Sequence, residues 1–178
     1  MLLKIDDITL SRFGSNMKIP MINISIPKQS LSLLFCDQVL KAYPISTSQY
    51  GVGCKSGSNK TPLGLHRVVS KIGRNVPVGG VFRRRRFRGK IARIFHKPIA
   101  QRLDQITTRI LRLEGLEEGR NRGEGVDTYR RCVYIHGTPE EWLIGKLASH
   151  GCIRMRNKDI VELFSLVKRG ILVRIQSK

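Results

Sequence analysis

The sequence predicts a mainly β protein with a minor α part: many short strands and one helix in the C-terminal region. Three observations carry that expectation. Apolar residues alternate with polar ones over short runs along most of the chain, the period of a half-buried strand. Clusters of Gly, Pro, Asn and Ser punctuate these runs and end them in turns. Only the stretch starting at Asn157 spaces its apolar residues as a helix does.

The elements follow in order. Ile22, Ile24 and Ile26 alternate with Asn23 and Ser25 in a first strand from Met21, which the turn residues Pro27 to Ser30 close. Leu31–Phe35 and Val39–Ile45 are separated by Cys36, Asp37 and Gln38 alone, so they form a hairpin. Cys36 beside that turn reads as structural or incidental. Ser46 to Lys60 is a loop. Its glycines at 51, 53 and 57 lack the Gly-Lys-Ser/Thr that closes a phosphate loop at a helix start, which discounts nucleotide binding. His66–Ile72 is the next strand, and His66 reads as a surface or packing histidine.

Residues 80 to 102 are unusual: Gly80-Val-Phe-Arg-Arg-Arg-Arg-Phe-Arg-Gly-Lys90, followed by Arg93, His96, Lys97 and Arg102.

 A basic cluster with Phe82, Phe87 and Phe95 interleaved has the make-up to bind phosphates and stack bases, as single-strand binders do. The other reading is a basic loop or lid beside the active site, inserted between two strands, and it is preferred because loops carry charge at little cost.

Ile106–Leu113, rich in aliphatic and β-branched residues, is a central strand, and Glu114 to Asp127 a glycine-rich loop. Cys132, Val133, Tyr134 and Ile135 form a strand that places His136 at its end, where Gly137 and Thr138 begin a turn. Asn157 is expected to cap a helix with Ile160, Val161, Phe164 and Val167 on one face and Leu163 beside them, ended by Gly170. Ile171, Val173 and Ile175 then alternate as a last strand. Residues 1–18 show no clear period and form an extension without an assigned role, while 19–178 make one domain, which the length of 178 residues fits.

Charge narrows the partners. With 33 basic and 13 acidic residues the formal net charge is +20, and self-repulsion of that size usually accompanies an anionic partner. Nucleic acid, anionic lipid and acidic cell-wall glycopeptide all qualify, as does a basic face that is merely solvated. The four cysteines, at 36, 54, 132 and 152, show no regular framework and read as free thiols, which leans towards a reducing compartment. Lys4, Asp6 and Asp7 interrupt any apolar signal run, and no stretch approaches the roughly 18 apolar residues of a membrane helix. The expectation is therefore a cytoplasmic protein, or a periplasmic one if the true N-terminus is missing.

The chemistry concentrates between Tyr134 and Met155. Cys152, flanked by small and polar residues, is a candidate nucleophile, and His136 a candidate base for its proton. His150, two residues from the thiol, is a rival base. Gly151 lets the backbone turn sharply and bring amide N–H groups towards a bound carbonyl. His136, His150 and Cys152 as three metal ligands lack the usual zinc spacings, so no metal and no cofactor are expected.

The segment His136-Gly-Thr138, a spacer, Ser149-His-Gly-Cys-Ile-Arg-Met155 and an Asn-x-Asp helix start resembles the YkuD-type L,D-transpeptidase catalytic domain. Tyr43 to Thr47, Ser58 to Gly64, Ile106 to Leu111 and Leu113 to Leu116 continue the likeness, which covers roughly residues 21 to 176. The resemblance implies a YkuD-like sandwich of mixed β-sheets and a thioester mechanism on peptidoglycan stem peptides or muropeptides, with D-Ala as the leaving group. It implies Cys152 as nucleophile, His136 as base and the Gly137 carbonyl as its orienter, with His150, Thr138 and Ser149 about the substrate. Arg154 follows Cys152 closely enough to hold a carboxylate of the stem, and reads equally as a structural salt bridge. Water as acceptor makes an L,D-carboxypeptidase of peptidoglycan recycling, and an amine makes a cross-linking transpeptidase. No nucleic acid is then expected, although a basic nucleic-acid- or anionic-lipid-binding module with an incidental cysteine is the competing class.

Overall fold

The computed structural model describes residues 20–100 and 103–177. The proposed extension 1–18 and Arg102 lie outside the described residues. Ten strands follow the chain: β1 (Met21–Ser25), β2 (Ser30–Phe35), β3 (Gln38–Ser46), β4 (Gly64–Ile72), β5 (Gly80–Arg83), β6 (Arg86–Ile91), β7 (Ile106–Gly115), β8 (Tyr134–Gly137), β9 (Ile153–Met155) and β10 (Leu172–Gln176). One α-helix, α1 (Asn157–Leu166), precedes the last strand. The mainly β class with a single C-terminal-region helix is thus what the chain adopts among its described residues.

The sheet closes on itself. Strands neighbour one another in the order β4, β10, β1, β2, β3, β9, β8, β7, and β7 pairs back onto β4. The faces of the expected sandwich are therefore continuous, and the closure leaves these strands no free edge. The sheet is mixed, with β1–β10 and β8–β9 parallel and the other pairs antiparallel. Inside lie Ile22, Ile24, Leu31, Ile45, Val68, Leu111, Leu113, Ile135, Ile153, Met155 and Val173, all but fully buried. Helix α1 adds Ile160, Leu163 and Phe164 to the same cluster. Burial of this apolar surface, at about 25 cal/mol per Å², is what holds so many short strands together.

Alternation explains what remains outside. On β8 and β9 the core takes Ile135, Ile153 and Met155, so Tyr134, His136, Cys152 and Arg154 point to the outer face. A second, smaller cluster of Phe82, Ile110 and Tyr134, joined by Ile72, Val76, Phe87, Ile106, Cys132 and Cys152, lies there.

Several local expectations are corrected. The Arg-rich stretch begins as a β5–β6 hairpin rather than a loop, attached to the N-terminal end of β7 through Val81 and Phe82. Strand β8 starts at Tyr134, because Cys132 sits in a turn with φ 58°. Arg156, not Asn157, precedes the helix, and it makes no side-chain cap; the Asn157 side chain is drawn into tertiary contacts instead. The helix ends at Leu166, short of Gly170, and Val161 is only partly buried while Leu163 is fully so.

His66 is a packing histidine of an exacting kind. It is fully buried, with Nδ1 3.0 Å from the Gly64 carbonyl and Nε2 3.2 Å from the Thr128 hydroxyl. Burial lowers its pKa from 6.5 to about 4. The folded protein therefore keeps His66 neutral where the unfolded chain binds a proton, so stability is full above pH 6.5 and falls as pH drops towards 4. The loss expected across that window is on the order of 3 kcal/mol. Urea unfolding at stepped pH checks it. His66→Gln should flatten the acid decline, and an unchanged slope in that variant would sink the assignment.

Candidate active site

Parallel pairing of β8 with β9 sets Ile135 beside Ile153 and His136 beside Arg154. Continuing that register puts Cys152 opposite Tyr134, one side-chain step from His136 on the same outer face. The Cys152 sulfur lies 3.4 Å from the Tyr134 N–H and 3.6 Å from the Cys132 carbonyl. It opens into a pocket of about 200 Å³ lined by Arg131, Cys132, His150, Gly151 and Asn59 among others. A thiol just before β9 and an imidazole at the end of β8 thus stand side by side.

His136 is 2% exposed, and its Nδ1 is 2.8 Å from the Gly137 carbonyl. A carbonyl only accepts, so Nδ1 carries the proton and Nε2 is left as an acceptor. Gly137 has no room for a side chain: a Cβ there would stand 2.7 Å from Asn157 Oδ1 and 2.9 Å from the Thr107 carbonyl. Burial lowers the His136 pKa to about 4, against the upward pull of the Gly137 carbonyl. Burial also pushes the Cys152 thiol up to about 12, although the residue keeps part of its surface exposed. The resting pair is a neutral thiol and a neutral imidazole.

The turn before Cys152 is built by Ser149. Its hydroxyl donates to the Cys152 carbonyl at 2.6 Å and accepts from the Gly151 N–H at 3.2 Å. Gly151 adopts φ +115°, a conformation L side chains rarely take, and its carbonyl accepts from Thr61. Thr138 is fully buried; its hydroxyl accepts from the Glu140 N–H. Of the residues singled out from the sequence, Cys152, Gly151 and His150 line one pocket, His136 lies on the neighbouring strand, and Thr138, Ser149 and Arg154 are buried behind them.

Arg154 is 1% exposed, and two carboxylates hold it. Asp104 pairs with its Nη2, and Glu140 lies 3.3 Å from its Nη1. Asp104 also reaches His150 Nδ1 at 2.6 Å, and its own N–H donates to Glu140 at 3.0 Å. The segment between β6 and β7 is pinned over the site by further bonds from the Phe95 N–H to the Pro139 carbonyl and from the Trp142 N–H to the Phe95 carbonyl.

Asp104, Glu140, Arg131 and Asn157 carry this geometry, and the sequence did not single them out for it. Arg131 donates to the carbonyls of Gly53, Cys54 and Lys60, tying the long loop to the pocket wall. Asn157 accepts the Thr107 and Thr108 hydroxyls at Oδ1 and donates through Nδ2 to the Thr138 carbonyl and Glu141, each at 2.8 Å. Thr108 reaches it from a bulge in β7, at φ 68°. The Asn-x-Asp helix start was the one available signal, and it points equally to a cap.

Two expectations follow. Alkylation of Cys152 by iodoacetamide should be slow at neutral pH and keep rising beyond pH 9, as a raised thiol pKa requires; a plateau below pH 7 would instead reveal a preformed thiolate–imidazolium pair. Asn157→Asp removes two donors and adds a buried charge, so it should cost roughly 3 kcal/mol or more in denaturant unfolding. A variant within about 0.5 kcal/mol of the parent would refute the shared node.

Comparisons with known proteins show the family. The family model for the L,D-transpeptidase catalytic domain, YkuD, matches residues 20–175. "Putative L,D-transpeptidase YkuD" of Bacillus subtilis (strain 168) is 56% identical over 41 residues, 23% of this chain and 25% of that protein. "Putative L,D-transpeptidase YqjB" of the same organism is 49% identical over 45 residues, 25% of this chain and 26% of that one. Among solved structures, an L,D-transpeptidase from Mycobacterium smegmatis superposes with a TM-score of 0.53 at 15% identity, covering 89% of this chain and 58% of that chain. One from Mycobacterium tuberculosis H37Rv gives 0.52 at 18%, covering 89% and 57%. The match thus spans about a quarter of the curated relatives and under three fifths of these solved chains, whose likeness speaks for the fold. With its closed mixed sheet and a family match running almost from end to end, the chain belongs to the YkuD L,D-transpeptidase catalytic domain family.

Proposed function

We propose that the protein catalyses cysteine-dependent acyl transfer on peptidoglycan stem peptides. The observation that carries this reading is the pairing of β8 with β9, which sets the Cys152 thiol and an imidazole with a free Nε2 on one outer face. The sulfur attacks the carbonyl at the L-centre of the stem's diamino acid, and its proton passes to His136 Nε2. The C–N bond then breaks, His136 returns the proton to the departing D-Ala amine, and a thioester remains. Water or an amine then attacks that thioester as His136 takes its proton; the C–S bond breaks, and the proton returns from His136 to the Cys152 sulfur.

The neutral resting pair fits such a cycle, because attack and proton transfer can proceed together without an isolated buried charge. For the oxyanion, the Cys152 N–H is the nearer donor. The Gly151 N–H would contribute after release from Ser149, which engages it at rest. His150, exposed at the pocket and held by Asp104, is placed to meet substrate. Arg154 acts through Asp104 and Glu140, since its own guanidinium is buried.

The test is incubation of the purified chain with a tetrapeptide stem ending in D-Ala, with and without an added D-amino acid, followed by mass. A tripeptide product establishes carboxypeptidase action, and an exchanged or dimeric product establishes transpeptidation. Cys152→Ala should retain the fold and lose turnover by at least about 10³-fold. No product from the parent chain, with the fold intact, overturns the substrate assignment.

A further inference from the structure

The acyl-transfer reading leaves the chain's densest charge unused. Arg83, Arg84, Arg85, Arg86, Arg88 and Lys90 are all exposed on the β5–β6 hairpin. No acidic residue occurs in the sequence between Asp37 and Asp104, and among the described residues no carboxylate forms an ion pair with any of these six. We propose that this hairpin is a docking surface for one base-free phosphate polyanion, a linear chain of inorganic polyphosphate.

Four features point there. First, Arg83 and Arg86 pair directly at the end of the hairpin, so Arg84 and Arg85 form its two-residue turn at φ 49° and 65°. Such turns favour Asn and Gly, and two arginines in left-handed backbone are strained. Folding alone therefore does not account for arginine at both positions. Second, Phe82 pairs with Phe87 and both rings join the outer cluster, so Arg83, Arg86 and Arg88 face the opposite way. On one strand, Arg86 and Arg88 repeat at roughly 6.6 Å, which suits a ligand whose charges also repeat. Third, a groove of about 530 Å³ is lined by Arg83, Arg84 and Arg88. Guanidinium forks bind phosphate oxygens in pairs there. Fourth, Arg85 anchors the hairpin beside the thiol pocket, 3.2 Å from the Tyr134 hydroxyl and 3.8 Å from the Cys132 sulfur.

The aromatic residues decide against nucleic acid. Single-strand binders stack bases on exposed rings, whereas Phe82 is 7% exposed, Phe87 turns inward and Arg93 covers Phe95 at 5.4 Å. A membrane surface is disfavoured too, because the turn carries only arginines and the exposed Val78 and Ile91 sit at the hairpin's other end.

Binding of the full chain to long-chain inorganic polyphosphate, titrated across salt by fluorescence anisotropy, tests this independently of turnover. The variant Arg83→Ser, Arg84→Asn, Arg86→Ser, Arg88→Ser should bind at least about tenfold more weakly and lower the salt slope by roughly 3. A second variant, Lys28→Ser, Lys158→Ser, Lys168→Ser, Arg169→Ser, removes the same charge elsewhere and should lose under about threefold. Circular dichroism confirms that both fold. Equal losses in the two variants would reduce the effect to net charge and overturn the proposal. So would tighter binding to single-stranded oligothymidylate or to anionic phospholipid vesicles than to polyphosphate, or no binding of polyphosphate at all.

Discussion

One buried side chain ties together everything that aims the imidazole. Asn157 has two amide hydrogens and two carbonyl lone pairs, and the fold uses all four: Thr107 and Thr108 donate, Thr138 and Glu141 accept. The strand bulge, the end of β8, the 3₁₀ turn at Glu141–Leu143 and the first turn of α1 therefore meet at one amide. Gly137 lies in that crowd, and its carbonyl fixes the tautomer of His136. Closure of the sheet supplies the hydrophobic energy, but this polar node sets where the strand stops.

The two nearest charges act against each other at the site. Asp104 raises the pKa of both His136 and Cys152, and Arg154 lowers both, so the two oppose each other at each group. Desolvation leads for the thiol and the imidazole alike, opposed in each by a backbone hydrogen bond, from the Tyr134 N–H to the thiol and between the imidazole and the Gly137 carbonyl. Arg154 is buried between two carboxylates, whose charge offsets its desolvation.

What the sequence made legible was local. Strand alternation placed Ile22, Ile24, Val173 and Ile175 inside, the three-residue spacer before Val39 marked a hairpin, and the residues around His136 and Cys152 marked the site. What it hid depends on distance along the chain. Asp104 meets Arg154 fifty positions later and Glu140 thirty-six later, and no periodicity encodes such partners. Asn157 was misread for the same reason: a cap is a local preference, while its actual partners at Thr107 and Thr108 arrive from another strand. The Arg-rich run hid its hairpin because arginine lacks both the alternation of a strand and the turn preference of Asn-Gly.

The same electrostatic rule divides the molecule in two. Where charge is enclosed, as at Arg154, it is matched by carboxylates; where charge is unmatched, as along β5 and β6, it is left in water. Solvation permits the hairpin's arginines but does not require them, and mutual repulsion across the Arg83–Arg86 pair works against the hairpin. The apolar pair behind it, Phe82 and Phe87, supplies the opposing attraction by burying against Ile110 and Tyr134. The hairpin is thus held from below by aromatic burial and loaded from above with charge, and the residue that bridges the two, Arg85, does so at the Tyr134 hydroxyl beside the thiol pocket.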